Sequence, residues 1–374
     1  MGPSGTGLTP PSDPFGIPPW ERRARHACRL ALRAFALCGS AALLAAPAAS
    51  ASRTTHRFVT HPSLARVADG QLTIKDATLH KQISPGNFWG GTYTTSTNER
   101  VTIFTSRTYP VDESSNQRWA DFLASLVHGS ELSSVVVYFA TPVEVSRMCG
   151  GADILGCYGD NSIIAPGEDT PDATAESVLT HEYGHHVASH RVNTPWPAVD
   201  WGTKRWSSYL QVCSRAAAHQ LFPGAETSLE YQFNPGEVFA EEFRVLNEQR
   251  LGLTVAPWQV VDRSLQPDQE ALTLLQEDVV TPWTSNRTST FSGRFAAHRS
   301  SVRTYPVSDT LDGVLAVSVR SSAHVRVQIL AGSRTVARGG TSARTVLCGG
   351  SRVRSVRVAR TSGSGAFTLT VSQP

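Results

Sequence analysis

Hydrophobic and polar positions along this chain change texture three times. Over residues 1–51 a basic stretch (Arg22, Arg23, Arg25, Arg29, Arg33) precedes an apolar run at 34–46, and Ala49-Ser50-Ala51 offers small residues for cleavage. That pattern predicts a secretory signal peptide cut after Ala51, with Ala48 as the alternative. Residues 52–90 are polar and irregular, and read as a leader or propeptide. From 91 to 285 the apolar positions become periodic. Segments 92–97 and 101–106 predict strands, Trp119, Phe122, Leu123 and Leu126 predict a helix over 113–128, 135–139 a buried strand and 161–166 an edge strand. A helix beginning near residue 173, capped by Asp172, carries Val178, Tyr183, Val187 and Ala188. Asn234 caps another, with Pro235 at its first position and Phe239, Phe243 and Leu246 as its apolar stripe. Beyond Trp283 the residues Ser, Thr, Gly, Val and Arg dominate, and alternation appears at 314–319, 325–330 and 367–371. The pattern predicts an α+β fold followed by a small all-β domain over 291–374, most simply a sandwich.

Composition narrows this picture. A chain of 374 residues is long enough for two compact domains. After the leader no run approaches about 18 consecutive apolar residues, so no membrane span is expected. Bulky Leu37 ahead of Cys38 argues against a lipid anchor. Cys28 and Cys38 leave with the signal, and Cys149, Cys157, Cys213 and Cys348 remain, an even number suited to an oxidising compartment. Cys149 and Cys157 flank a short glycine-containing loop and are expected to pair, which would leave Cys213 and Cys348 to join the two domains, with the other connectivities still open. The four lack C-x-x-C spacing, so a structural Cys/His zinc site is not expected.

Charge is uneven. The whole chain is +3 and the leader accounts for 5 − 2 = +3, so the mature chain is neutral. Residues 291–374 hold twelve Arg against Asp309 and Asp312, 12 − 2 = +10, which leaves 52–290 near −10. Such a split suits docking of the two parts, contact of the tail with a cell wall or another anionic polymer, or merely solvated arginines on outer strand faces. No transcription-factor motif or aromatic–basic interleaving points to nucleic acid. The expectation is a secreted, extracellular monomer.

The chemistry concentrates in Thr180-His181-Glu182-Tyr183-Gly184-His185-His186, an HExxH array on the predicted helix. Residues four apart lie about 40° apart around a helix, so His181 and His185 reach one ion. Glu182 is then placed to take a proton from a water held there. The bare pattern arises by chance in roughly one chain in a hundred of this length, so its context decides. A catalytic Zn2+ normally takes three protein ligands. His190 is turned about 180° from His181, and His186 about 100° from His185. Ala188 and Arg191 occupy the Gly and final His positions of HExxHxxGxxH, which closes the metzincin route. Glu237 and Glu241 remain, four apart on the face of the second helix opposite its apolar stripe. One of them binds the ion and the other accepts a hydrogen bond from a ligand imidazole. Glu237 is the expected ligand and Glu241 the alternative, although Asn234 with Glu237 also makes a capping box that needs no metal.

HEYGHH followed by NPGEVFAEEFRVL resembles the gluzincin group of zinc metallopeptidases, most of all the catalytic core of the anthrax lethal-factor type, over roughly residues 90–260. The predicted order of strand, strand, helix, strand, edge strand and metal helix matches the N-terminal lobe of zincin peptidases. The resemblance implies a zincin-like domain whose edge strand lies over the metal helix and pairs with an extended substrate. It also implies that Glu237 completes the site of His181 and His185. A tyrosine shortly before that glutamate would stabilise the oxyanion, a role that falls on Tyr231, with Tyr183 or His190 as fallback donors. The implied function is a secreted zinc-dependent endopeptidase acting on protein or peptide substrates, with Glu182 as general base. The competing expectation is a catalytically silent scaffold that binds a cell surface or glycan through its basic β-domain. The aromatic loop 194–201 walls the cleft or simply packs. No cysteine lies between residues 52 and 148, which excludes latency through an N-terminal cysteine–zinc bond.

Overall fold

A computed structural model describes residues 85–374 apart from 152, 153, 226, 227, 259, 300, 310, 350 and 351. The expected signal peptide and all but the end of the polar leader lie outside the described residues. The leader ends earlier than the sequence pattern predicts, because the first strand, β1 (Phe88–Thr94), already buries Phe88 and Trp89.

β1 pairs antiparallel with β2 (Arg100–Ser106), and β2 leads into α1 (Glu113–Ser125). Asp112 caps α1 by accepting from the backbone of Ser114 and Ser115, and Trp119, Ala120 and Leu123 face inward at helical spacing. β3 (Val136–Ala140) then runs parallel to β2. α2 (Pro142–Cys149) starts on a Thr141–Glu144 capping box and leads to β4 (Cys157–Gly159) and β5 (Ser162–Pro166). The sheet is mixed, in the order β1-β2-β3-β5-β4. The predicted edge strand at 161–166 is therefore not the edge. Over Ser162 to Ile164 it is covered by the short antiparallel β4, which the Cys149–Cys157 disulfide ties to the end of α2.

Every residue of α3 (Ala175–Ser189) from Ser177 to Ala188 is buried, which makes it the central helix rather than an amphipathic surface one. Thr174, not Asp172, caps it by accepting from Ser177 N–H. The two residues ahead, Asp172 and Ala173, give their N–H groups to Thr170 Oγ1, so the helix starts two residues later than the pattern suggests. After the short elements β6 (Val192–Asn193), β7 (Trp196–Pro197), α4 (Ala198–Trp201), α5 (Lys204–Tyr209), α6 (Val212–Ala217) and α7 (Ser228–Tyr231) comes the long α8 (Pro235–Leu251). It opens on Asn234 and Pro235, as its sequence predicts, and closes on Gly252 at φ 65°. α9 (Gln269–Val280) packs on α5 and α8. Gly184 of α3 meets α8 at Ala240, where an added Cβ would stand 2.9 Å from Ala240 Cα. That close crossing holds the two helices face to face.

The rest is antiparallel β: β8 (Arg287–Phe295), β9 (Val302–Asp309), β10 (Gly313–Ser321), β11 (His324–Ala331), β12 (Arg334–Gly339), β13 (Ser342–Leu347), β14 (Arg352–Ser362) and β15 (Gly365–Gln373). They form two four-stranded sheets, β13-β10-β15-β8 and β12-β11-β14-β9. Leu315, Val317, Leu369 and Val371 of one sheet share a single core with Val327, Ile329, Val356 and Val358 of the other, the arrangement of a sandwich.

Cys213–Cys348 bonds this domain to the helical region, the pairing expected from cysteine parity. Lys204, 1% exposed, also joins the two regions: it donates from Nζ to Thr194 O at 2.8 Å and Asp312 O at 2.9 Å, and Asp312 N–H donates to Ser208 Oγ at 2.9 Å. The same ammonium lies 4.5 Å from the Trp283 ring centre. Lys204→Met keeps the stem but strands the buried Asp312 carbonyl and gives up the bond to Thr194 O, and is expected to cost about 2 kcal/mol. A thermal melt reads this as a Tm lower by about 5 °C, and an unchanged Tm contradicts it.

Candidate metal centre

α3 and α8 cross so that the two predicted halves of the site meet. His181 Nε2 lies 3.3 Å from Glu237 Oε2, and His185 Nε2 lies 3.4 Å from the same oxygen. The three groups offer ligand atoms all within 4.8 Å of one another. Exposure of His181, Glu182, His185 and Glu237 is 0–2%, so their charges act in a dry environment. Glu237 does not turn back to close a capping box. Asn234 accepts from Gly236 N–H instead, and the glutamate is left to face the imidazoles.

Glu241 takes the other edge of the first histidine, with Oε2 3.1 Å from His181 Nδ1. That carboxylate is itself gripped by Arg244, whose Nε and Nη2 donate at 2.9 and 2.6 Å. Arg244 Nη1 donates to Glu248 at 2.5 Å, and Glu248 accepts from Ser177 Oγ at 2.7 Å and from Ala256 N–H at 2.9 Å. The chain His181–Glu241–Arg244–Glu248–Ser177 thus leaves α3, runs along α8 and returns to α3 one turn away. Glu241 stands out in the sequence as a candidate, whereas Arg244 and Glu248 do not. Their i+3 and i+7 spacing from Glu241 is the signal that points to them.

The electrostatics follow from burial against pairing. Desolvation pushes Glu182 up to about 7, opposed by His181 and His185. For Glu237 burial also works upward, but the imidazoles of His185 and His181 outweigh it and hold the carboxyl at about 2. Glu241 is likewise held at about 2, by Arg244 and then His181 against its burial. His181, which burial alone would depress, is raised to about 10 by Glu237 and Glu241.

A divalent cation fits this donor set. Two imidazoles and a carboxylate converge, and among the described residues both Glu182 oxygens and His185 Nδ1 are buried with no hydrogen-bond partner. Two nitrogens and one oxygen match the ligand set of catalytic Zn2+. Of the remaining predicted residues, His186 turns away to the Glu131 carbonyl at 2.9 Å and His190 contacts Ser134 and the His186 carbonyl. The Tyr183 ring packs on His186 and Phe243. Tyr231 is 2% exposed on α7, and its carbonyl accepts from Asn234 N–H at the mouth of α8. Trp196 and Trp201 of the aromatic loop stack on each other with centres 4.9 Å apart.

A small open pocket reaches His181 and Glu182 from the N-terminal half of α3. Leu155, Val178, Ala256, Pro257 and Val260 make its walls largely apolar, and Arg244 with Glu241 stands at its base.

Glu242, next to Glu241, faces the opposite way and accepts from Trp206 Nε1 at 2.7 Å. Burial pushes it up to about 8. Because the folded value exceeds the unfolded one, its contribution is full below about 4.5 and is lost as pH rises through about 8. Glu242→Gln is therefore expected to leave Tm unchanged at pH 4 and to raise it by about 5 °C at pH 9, measured by melting across pH. Parallel curves for the two proteins contradict the assignment.

No family model matches the chain, and no curated protein matches it. Among solved structures, the mitogen from Yersinia pseudotuberculosis aligns at 11% identity over 24% of this chain and 87% of its own, with a TM-score of 0.20. The pre-peptidase C-terminal domain of collagenase from Bacillus anthracis aligns at 13% identity over 22% of this chain and 88% of its own, also at 0.20. Likeness at that level says nothing about activity. Among the described residues no helix is long and apolar enough to cross a membrane.

Proposed function

We propose that this protein is a secreted zinc-dependent endopeptidase of the gluzincin kind, built on a zincin-like domain. The observation that carries the reading is the convergence of His181, His185 and Glu237 within 4.8 Å beside a buried, unpartnered Glu182 carboxylate. A Zn2+ ion held by those three side chains would supply Lewis acidity and a water acidified to near neutral pH.

The protein's own groups then divide the work. Glu182 accepts a proton from the attacking water and returns it to the leaving amine, a role suited by a carboxyl that burial has brought to about 7. Glu241, fixed by Arg244, keeps His181 in one tautomer and one orientation. The apolar pocket beside Glu182 receives a non-polar substrate side chain next to the scissile bond. Tyr231 is assigned to the oxyanion on the resemblance, supported by its place just before α8. The two disulfides are compatible with an extracellular setting.

The test is hydrolysis of a mixed peptide library by the zinc-loaded full chain, with Glu182→Gln as control. Cleavage by the first and not the second, biased to apolar residues at one side of the bond, is the expected outcome. A wild type that holds zinc and cleaves nothing overturns the reading in favour of a scaffold.

A further inference from the structure

The segment leading into β4 crosses α3 on alternate residues. Gly156 faces Val178 and Glu182, and a Cβ there would stand 2.7 Å from Val178 Cγ1, 2.9 Å from Glu182 Oε1 and 3.1 Å from Glu182 Cγ. Two residues on, the Tyr158 ring lies 6.5 Å from that of His185 at an interplanar angle of 14°, and its hydroxyl is 2.6 Å from Ser189 Oγ. Cys157 between them is tied to Cys149. The same short piece of chain therefore lies over the proposed base at one step and over a proposed ligand at the next. Gly156 does not have a left-handed φ. Only space demands a glycine there. Among the described residues the Glu182 oxygens have no hydrogen-bond partner, and the carboxylate lies directly against the backbone at Gly156.

We infer that Gly156 is a positioning residue for Glu182: its missing side chain lets the strand close on the carboxylate and fixes where the carboxylate points. This rests on the reading of Glu182 as general base. A methyl group at 156 turns the carboxylate, and a displacement of about 1 Å at a reacting group costs on the order of a hundredfold in rate.

The test uses the zinc-loaded full chain carrying Gly156→Ala, and the double variant Gly156→Ala/Val178→Ala. Expected for both is a kcat about a hundredfold below wild type; KM stays within about twofold in Gly156→Ala, which leaves the lining of the apolar pocket intact, whereas the double variant, which trims that lining at Val178, is read through kcat alone. The visible spectrum of the Co2+-substituted protein is expected to be unchanged, since His181, His185 and Glu237 keep their places. The double variant clears the nearest contact, at Val178 Cγ1, and leaves the one at Glu182 Oε1. It also carries the test if the single variant does not fold. Recovery of wild-type kcat in the double variant overturns the inference, as does a wild-type kcat in Gly156→Ala. An inactive wild type sinks the peptidase reading and this inference with it. An active wild type with an indifferent Gly156→Ala sinks this inference alone.

Discussion

Exchanging Glu182 for glutamine lowers kcat for peptide hydrolysis about a thousandfold while bound zinc and thermal stability stay in place. Glutamine has the same shape, so the 0%-exposed site between Gly156 and α3 keeps its packing. Among the described residues neither oxygen of Glu182 accepts a hydrogen bond, so no described partner is orphaned by the change. What disappears is the acceptor for the proton of the attacking water. Steady-state kinetics with metal analysis of the same sample separate the outcomes. A loss of kcat with zinc retained supports the role, and undiminished turnover contradicts it.

Removing the guanidinium of Arg244 is the most damaging structural change expected. Arg244→Met leaves Glu241 and Glu248 buried beside each other with their shared cation gone, a loss of about 3–5 kcal/mol. Tm is expected to fall by about 10 °C. Glu241 then no longer holds His181 Nδ1 firmly, and zinc affinity is expected to drop by about 10–100-fold in a titration against a competing chelator. Arg244→Lys keeps the charge but loses the two-pronged grip on Glu241, and is expected to fall between the two. If Arg244→Met melts with wild type and binds zinc equally well, the bridge from His181 back to Ser177 does not support the site.

Much of the site can be read from the chain alone, for a specific reason. His181, Glu182, His185, Glu237 and Glu241 sit at helical spacings inside two helices with plain start signals, so periodicity orients them before any contact is known. Their supports are harder to see. Ser177 and Glu248 are 71 residues apart, and nothing local marks them as partners. Gly184 looks like a weak point in a helix, and only the crossing at Ala240 explains it. Gly156 resembles any loop glycine until Glu182 is seen against it.

The strands divide in the same way. The pattern at 161–166 marks a strand correctly but not its place in the sheet, because β4 has three residues and is too short to show alternation. In the C-terminal domain alternation reveals β10, β11 and β15. β14 hides behind the Arg-Val-Arg-Ser-Val-Arg-Val-Ala-Arg run that supplies Val356 and Val358 to the core. Cysteine pairing was legible from parity and spacing, since an eight-residue separation left Cys149 and Cys157 as natural partners.

Zinc stoichiometry is the measurement closest to the central claim: mass-spectrometric metal analysis of full-length protein purified without chelator, beside Glu237→Gln and His185→Ala. About one zinc ion per chain in the wild type, with little in either variant, is the predicted result. Wild-type protein that carries no transition metal and takes up none from a zinc solution contradicts it.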